Sequence, residues 1–177
     1  MKRQRARIPD VQDPRYIVLS CADSRVTPEY IFNQPLGSFF VIRVAGNVVD
    51  KLVIDSIEFA VRSFNPSIIL VLGHSQCGAV TGALDHLKKH NGAIGKPYDL
   101  YGTVLIPIEK TIVQSTIDIH APDALTLSIR ANVRYSADQL VAQSSIISSG
   151  IKNGSLCIIG AKYTLNTGKV TELFMIK

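Results

Sequence analysis

Five side chains in this sequence have the types and spacing to do chemistry together. Cys21, Asp23 and Arg25 fall within five residues, and His74 and Cys77 stand three apart much further along. A His-x-x-Cys pair on a turn can reach one metal ion from one loop. A third soft ligand is then needed from elsewhere, and Cys21 offers it. Asp23 is a candidate fourth ligand. Taken singly, each cysteine reads as a small buried hydrophobe, which is how free cysteines often behave. Taken together, at the ends of two apolar runs and with a histidine beside one of them, they read as a metal site.

The elements that must position these residues are legible around them. Ile68 to Leu72 is an apolar run, read as a buried strand ended by Gly73. Gly78, Ala79 and Val80 then lead into a helix from Ala79 to about His90. Tyr16 to Ser20 is a second apolar run, directly before Cys21. Both ligand sets thus sit at carboxyl ends of strands, where open α/β sheets carry their sites. Phe39–Arg43 and Leu156–Ala161 read as further strands, and Lys169–Ile176 alternates like an edge strand. Helices are expected over Pro28–Phe32, with Thr27 as cap, and over Val48–Phe64. Others are expected over Leu105–Ile117 and, as one long helix or two, over Ala121–Ser149 with Gly150 as cap. Asn91–Gly102 reads as a loop, and Gly46-Asn47 as a turn with one residue at positive φ. Strands alternating with helices imply an α/β fold with a parallel-core sheet flanked by helices.

The 177 residues suit one domain spanning the whole chain, with 1–11 as an extended arm. An apolar share of 46% and a mean hydropathy of +0.20 are high for a monomer. No apolar run reaches the ~18–20 residues of a membrane span. The excess apolar surface is therefore assigned to a subunit interface. The net charge of +5 owes much to Lys2, Arg3, Arg5 and Arg7. These read as a solvated terminus rather than a nucleic-acid arm. No secretory signal is visible. Cys21, Cys77 and Cys157 are an odd, widely spaced set, which points to a reducing, cytoplasmic setting rather than a disulfide framework.

Zinc takes thiolate and imidazole ligands in tetrahedral sites. Cys21, His74 and Cys77 supply three of them. Zinc lowers the pKa of a bound water and makes it a hydroxide nucleophile. Two thiolates cancel the metal's charge, so activity is expected to favour alkaline pH. His86 and His90, four apart on a predicted helix, read as solvated, His120 as a loop residue, and Cys157 as a packed core thiol.

Cys-Ala-Asp-Ser-Arg-Val at 21–26, Val-Ile-Arg-Val-Ala-Gly-Asn at 41–47, Ser-Ile-Glu-Phe-Ala-Val at 56–61 and Gly-His-Ser-Gln-Cys-Gly-Ala-Val at 73–80 resemble the β-class carbonic anhydrases. The tail at 160–170 is similar to that family's closing strand and turn. The resemblance runs from about Gln12 to Leu173 and implies a zinc enzyme interconverting carbon dioxide and bicarbonate. It places the zinc ligands on Cys21, His74 and Cys77, one ion per chain. It places an Asp-Arg dyad on Asp23 and Arg25, and a substrate pocket on Gln12, Phe40, Phe59 and the backbone of Gly78. It implies a homodimer or homotetramer in which Gln12, Phe40 and Phe59 serve the neighbouring subunit's site.

The sequence departs from the family pattern in a short N-terminal arm, in Gly37-Ser38 before the second strand and in Tyr163-Thr164-Leu165 near the end. Some members close when bicarbonate fills a regulatory pocket built on a Trp three residues before the first Cys ligand and an Arg of the next strand. Here Arg43 is present, but the Trp position is Val18 and the chain has no Trp. An open site, with Asp23 paired to Arg25, is therefore expected.

An ionised Asp23 can only accept hydrogen bonds, and Arg25 can hold it by a forked pair. The alternatives are a carbonyl sulfide or carbon disulfide hydrolase on the same scaffold, and a non-catalytic zinc-stabilised oligomer. An orienting carboxylate beside the ligands argues against the latter. Neither a nucleic-acid partner nor a membrane is expected.

Overall fold

The computed structural model describes residues 10–97, 99 and 101–177. Residues 1–9 of the expected arm lie outside the described residues. Five strands form one sheet in the order β2-β1-β3-β4-β5: β1 (Tyr16–Cys21), β2 (Phe39–Val44), β3 (Ile68–His74), β4 (Cys157–Thr164) and β5 (Lys169–Ile176). The first four pair in parallel, and β5 runs antiparallel along the edge of β4. This is the expected parallel core with an edge strand.

The helices are α1 (Pro28–Ile31), α2 (Lys51–Phe64), α3 (Gly78–Lys89), α4 (Gly102–Gln114), α5 (Ala124–Gln143) and α6 (Ser145–Lys152). Strand periodicity decides which side chains meet them. Ile17 and Leu19 of β1 point to one face, where Ile57 of α2, Val133 and Leu140 of α5 and Ile147 of α6 complete a fully buried core. Val18 points to the other face and packs with Val26, Leu72 and Ala161. A third cluster, around Val80, Leu84, Ile108 and Ile112, joins α3 to α4 beside the two site cysteines.

Several boundaries differ from the sequence expectation, each for a local reason. Thr27 precedes α1, but its side chain makes no capping bond. The helix expected from Val48 starts at Lys51, because Asp50 takes the cap position and accepts from Val53 N–H. Helix α4 begins at Gly102 and ends at Gln114, three residues earlier than expected at each end. The stretch 121–149 is two helices, one of the two readings expected, and starts later, at Ala124; it divides at Ser144, whose backbone is extended and whose hydroxyl caps α6 through Ile147 N–H. Gly150 is not a cap: it lies inside α6, where Leu156 packs on it.

Candidate metal centre

Register brings the three candidate ligands together. Ser20 pairs with Leu72, so Cys21 lies level with Gly73 and beside the end of β3. His74 is the last residue of β3, and Cys77 is the residue before α3. The result is one cluster in which the donor atoms of Cys21, His74 and Cys77 all lie within 4.8 Å of one another. All three side chains are buried.

The cluster fits zinc. The two sulfurs are 3.9 Å apart, and neither cysteine is disulfide-bonded. Two zinc–sulfur bonds of ~2.3 Å at a tetrahedral angle place sulfurs about 3.8 Å apart. His74 Nδ1 lies 2.9 Å from Ser75 O. A carbonyl can only accept, so Nδ1 carries the proton and Nε2 keeps its lone pair. That Nε2 is buried and has no hydrogen-bond partner among the described residues. An orphaned imidazole nitrogen beside two thiols is the arrangement a soft metal satisfies, with Ser75 O fixing the tautomer from behind.

The thiols are already polarised. Donation from Cys77 S–H pulls the Cys21 thiol well below its usual value, and the N–H groups of Asp23 and Gly46 work in the same direction. Cys77 is pushed up by the same contact and by burial, while the N–H groups of Val80 and Ala79 work against that rise. Each sulfur therefore faces two backbone donors, a setting that suits thiolates.

Asp23 and Arg25 meet as a fork. Nε of Arg25 donates to Oδ1 at 2.9 Å and NH2 to Oδ2 at 2.7 Å. The guanidinium holds the Asp23 carboxyl well below the usual carboxylate range. Asp23 Oδ2 is also 3.9 Å from His74 Nε2. The carboxylate borders the ligand cluster without turning into it. Arg43 braces this segment from below, donating to Cys21 O at 3.1 Å and to Asp23 O at 2.6 Å. Val18 is fully buried.

The turn Ala45–Asn47 closes the site on the third side. Both Gly46 (φ 65) and Asn47 (φ 45) adopt positive φ, not one of them as expected. Gly46 N–H donates to Cys21 Sγ at 3.3 Å. A side chain cannot be added there: a Cβ on Gly46 would lie 2.8 Å from Ile108 Cδ1 and 3.0 Å from Ala79 Cβ. Two polar residues of α5, which sequence reasoning missed, hold this turn. Asn132 Nδ2 donates to Gly46 O at 2.7 Å, and Ser136 Oγ donates to Asn47 O at 2.9 Å. Their signal was a row of polar side chains four apart, Ser128, Asn132 and Ser136, beside the apolar Ile129, Val133 and Leu140 of the same buried face.

Gly78 and Ala45 line a cavity of about 330 Å³ together with Gly82, Tyr101, Val104 and Leu105. Phe40 and Phe59 do not line it. Phe40 pairs with Ile17, about 13 Å along the strand from Cys21. It packs with Phe59 and Phe64 in an aromatic cluster, ring centroids about 6 Å apart. Phe59 is 57% exposed. Gln12 is exposed ahead of β1. His86 is not solvated as expected: it is half-buried against Glu109. Cys157 is only half-buried rather than a fully packed core thiol.

A family model described as carbonic anhydrase matches residues 16–170. The chain belongs to the β-class carbonic anhydrases. Carbonic anhydrase 2 of Mycobacterium tuberculosis is 38% identical over 161 residues, covering 89% of this chain and 73% of that protein. The carbonic anhydrase of Mycolicibacterium smegmatis is 34% identical over 167 residues, covering 94% of this chain and 78% of that one. Among solved structures, the Coccomyxa β-carbonic anhydrase in complex with acetazolamide superposes with a TM-score of 0.83 at 28% identity, covering 99% of this chain and 79% of that chain. A β-carbonic anhydrase from Sordaria macrospora shares the fold, with a TM-score of 0.79 at 23% identity over 97% of this chain and 84% of that one. Carbonic anhydrases are lyases, and this chain is an enzyme of that kind. No helix among the described residues is long and apolar enough to cross a membrane.

Proposed function

We propose that this carbonic anhydrase interconverts carbon dioxide and bicarbonate at a zinc ion held by Cys21, His74 and Cys77. The observation that carries the reading is the orphaned, buried Nε2 of His74 facing two thiols at tetrahedral spacing. Zinc, when bound there, supplies an activated water. The chain's own groups do the rest. Asp23, ionised and clamped by Arg25, accepts a hydrogen bond at the edge of the cluster and so orients the attacking oxygen. Arg25 also keeps the carboxylate from swinging into the ligand set, and Arg43 fixes the backbone beneath it. With Val18 in the Trp position and Arg43 committed to carbonyl oxygens, the resting site is open. Added bicarbonate is therefore expected to inhibit without cooperativity, and a Hill coefficient clearly above one contradicts this.

Carbon dioxide is small, uncharged and apolar, so its approach needs apolar walls. The cavity at Gly78 and Ala45 provides them from within the chain. Gln12, Phe40 and Phe59 complete the pocket of a neighbouring subunit, since Phe40 lies a strand's length from its own Cys21. The exposed Phe59 and Leu52, 57% and 74% accessible, offer apolar surface for that contact. Sedimentation at micromolar concentration is expected to show a dimer or tetramer. A fully active monomer contradicts the shared site.

The test of the reaction compares substrates on one zinc-loaded preparation. Carbon dioxide hydration should exceed carbonyl sulfide hydrolysis by orders of magnitude. The reverse order assigns the site to the sulfur substrate.

A further inference from the structure

Glu109, in the middle of α4, is only 1% exposed, yet it carries a carboxyl group. A buried charge is costly unless it is paired, and an apolar side chain of similar volume often serves packing better. Something other than core filling is therefore held by its oxygens. Oε2 accepts from Gly95 N–H at 2.7 Å. Oε1 lies 3.0 Å from His86 Nδ1 of α3, off the line of a good hydrogen bond, so that contact is electrostatic. The His86 ring stacks on His90, centroids 4.3 Å apart.

Gly95 is the point where these groups converge. A Cβ there would lie 3.3 Å from His86 Cε1, 3.3 Å from Asp99 Oδ2 and 3.4 Å from Glu109 Oε2. From Gly95 the chain runs into the start of α4 through three short bonds. Lys96 N–H donates to Asp99 Oδ2 at 2.6 Å, Asp99 N–H to Lys96 O at 2.9 Å, and Gly102 N–H to Asp99 O at 2.9 Å. Tyr101, the residue before α4, is held at φ 63, a left-handed conformation that a tyrosine adopts only when its surroundings impose it. Tyr101, with Val104 and Leu105, lines the same cavity as Gly78.

We propose that Glu109, backed by His86, is a positioning residue for the substrate: it anchors Gly95 and thereby sets Tyr101 and the first turn of α4 against Gly78. The inference rests on the reading of that cavity as the approach of carbon dioxide.

The test uses the zinc-loaded full chain and three variants. Glu109→Leu removes the acceptor but fills the space, Glu109→Gln keeps an acceptor oxygen, and Tyr101→Ala removes a lining side chain. In Glu109→Leu, hydrogen exchange at the Gly95 amide should accelerate roughly tenfold or more, as for an amide that loses its acceptor. KM for carbon dioxide should rise several-fold, with kcat within about twofold and zinc content unchanged, the pattern of lost binding rather than lost chemistry. Glu109→Gln should restore both the slow exchange and the low KM. Tyr101→Ala should raise KM alike, and combining it with Glu109→Leu should add little. An unchanged KM in Tyr101→Ala overturns the proposal, and that exposed residue can be replaced without threatening the fold. A fast-exchanging Gly95 with an unchanged KM, or Glu109→Gln behaving like Glu109→Leu, also overturns it. Wild-type protein that hydrates no carbon dioxide contradicts the functional reading instead, while the exchange rate at Gly95 still reports the anchor by itself.

Discussion

Alanine at Cys77 is expected to strip the chain of zinc and abolish hydration. Cys77 is fully buried, its sulfur faces Cys21 at 3.9 Å, and it is the residue from which α3 departs. Losing an outer partner of a metal ligand typically costs ~10–100-fold in metal affinity or activity, and losing the ligand itself should cost more. A methyl group leaves His74 Nε2 and Cys21 with only two soft donors, too few for a tetrahedral site. Metal analysis after gel filtration should find wild-type protein near one zinc per chain and the variant with a small fraction of that. The helical signal should remain, because Cys77 is only one member of a buried cluster that Val80, Leu84, Leu87, Ile108 and Ile112 hold together. Full zinc retention in Cys77→Ala removes Cys77 from the ligand set.

Asp23→Asn should separate chemistry from metal binding. The amide keeps the shape of the carboxylate but presents a donor where an acceptor is needed, and it loses the charge that the Arg25 fork grips. Removing one preorganised hydrogen-bond partner of a reacting oxygen typically costs ~10²–10³ in kcat. The variant is expected to hold its zinc and to lose kcat by roughly 10²-fold or more on that scale. If kcat stays within twofold, the pair is an ordinary surface ion pair of little value.

The cluster of Cys21, His74 and Cys77 was legible because two apolar runs placed its members: strands announce themselves by unbroken hydrophobicity, and Cys21 and His74-x-x-Cys77 stand at their ends. The parallel order followed from the alternation of strands and helices. Asn132, Ser136 and Glu109 were not legible. Each sits in a helix among apolar neighbours, and only the folded chain shows that its partner is the backbone of a distant turn: Gly46, Asn47 or Gly95. His86 was read as solvated for the same reason, since nothing in its own helix reveals Glu109 across the interface with α4. The break at Ser144 was hidden because a serine suits both a helix surface and a cap, and which of them it serves depends on tertiary packing.

The most direct measurement is stopped-flow hydration of carbon dioxide by the wild-type chain across pH, with zinc content determined on the same sample. One zinc per chain is expected, with hydration that strengthens toward alkaline pH and disappears when the zinc is removed. A fully zinc-loaded protein without hydration above the buffer rate at any pH would contradict the proposed reaction.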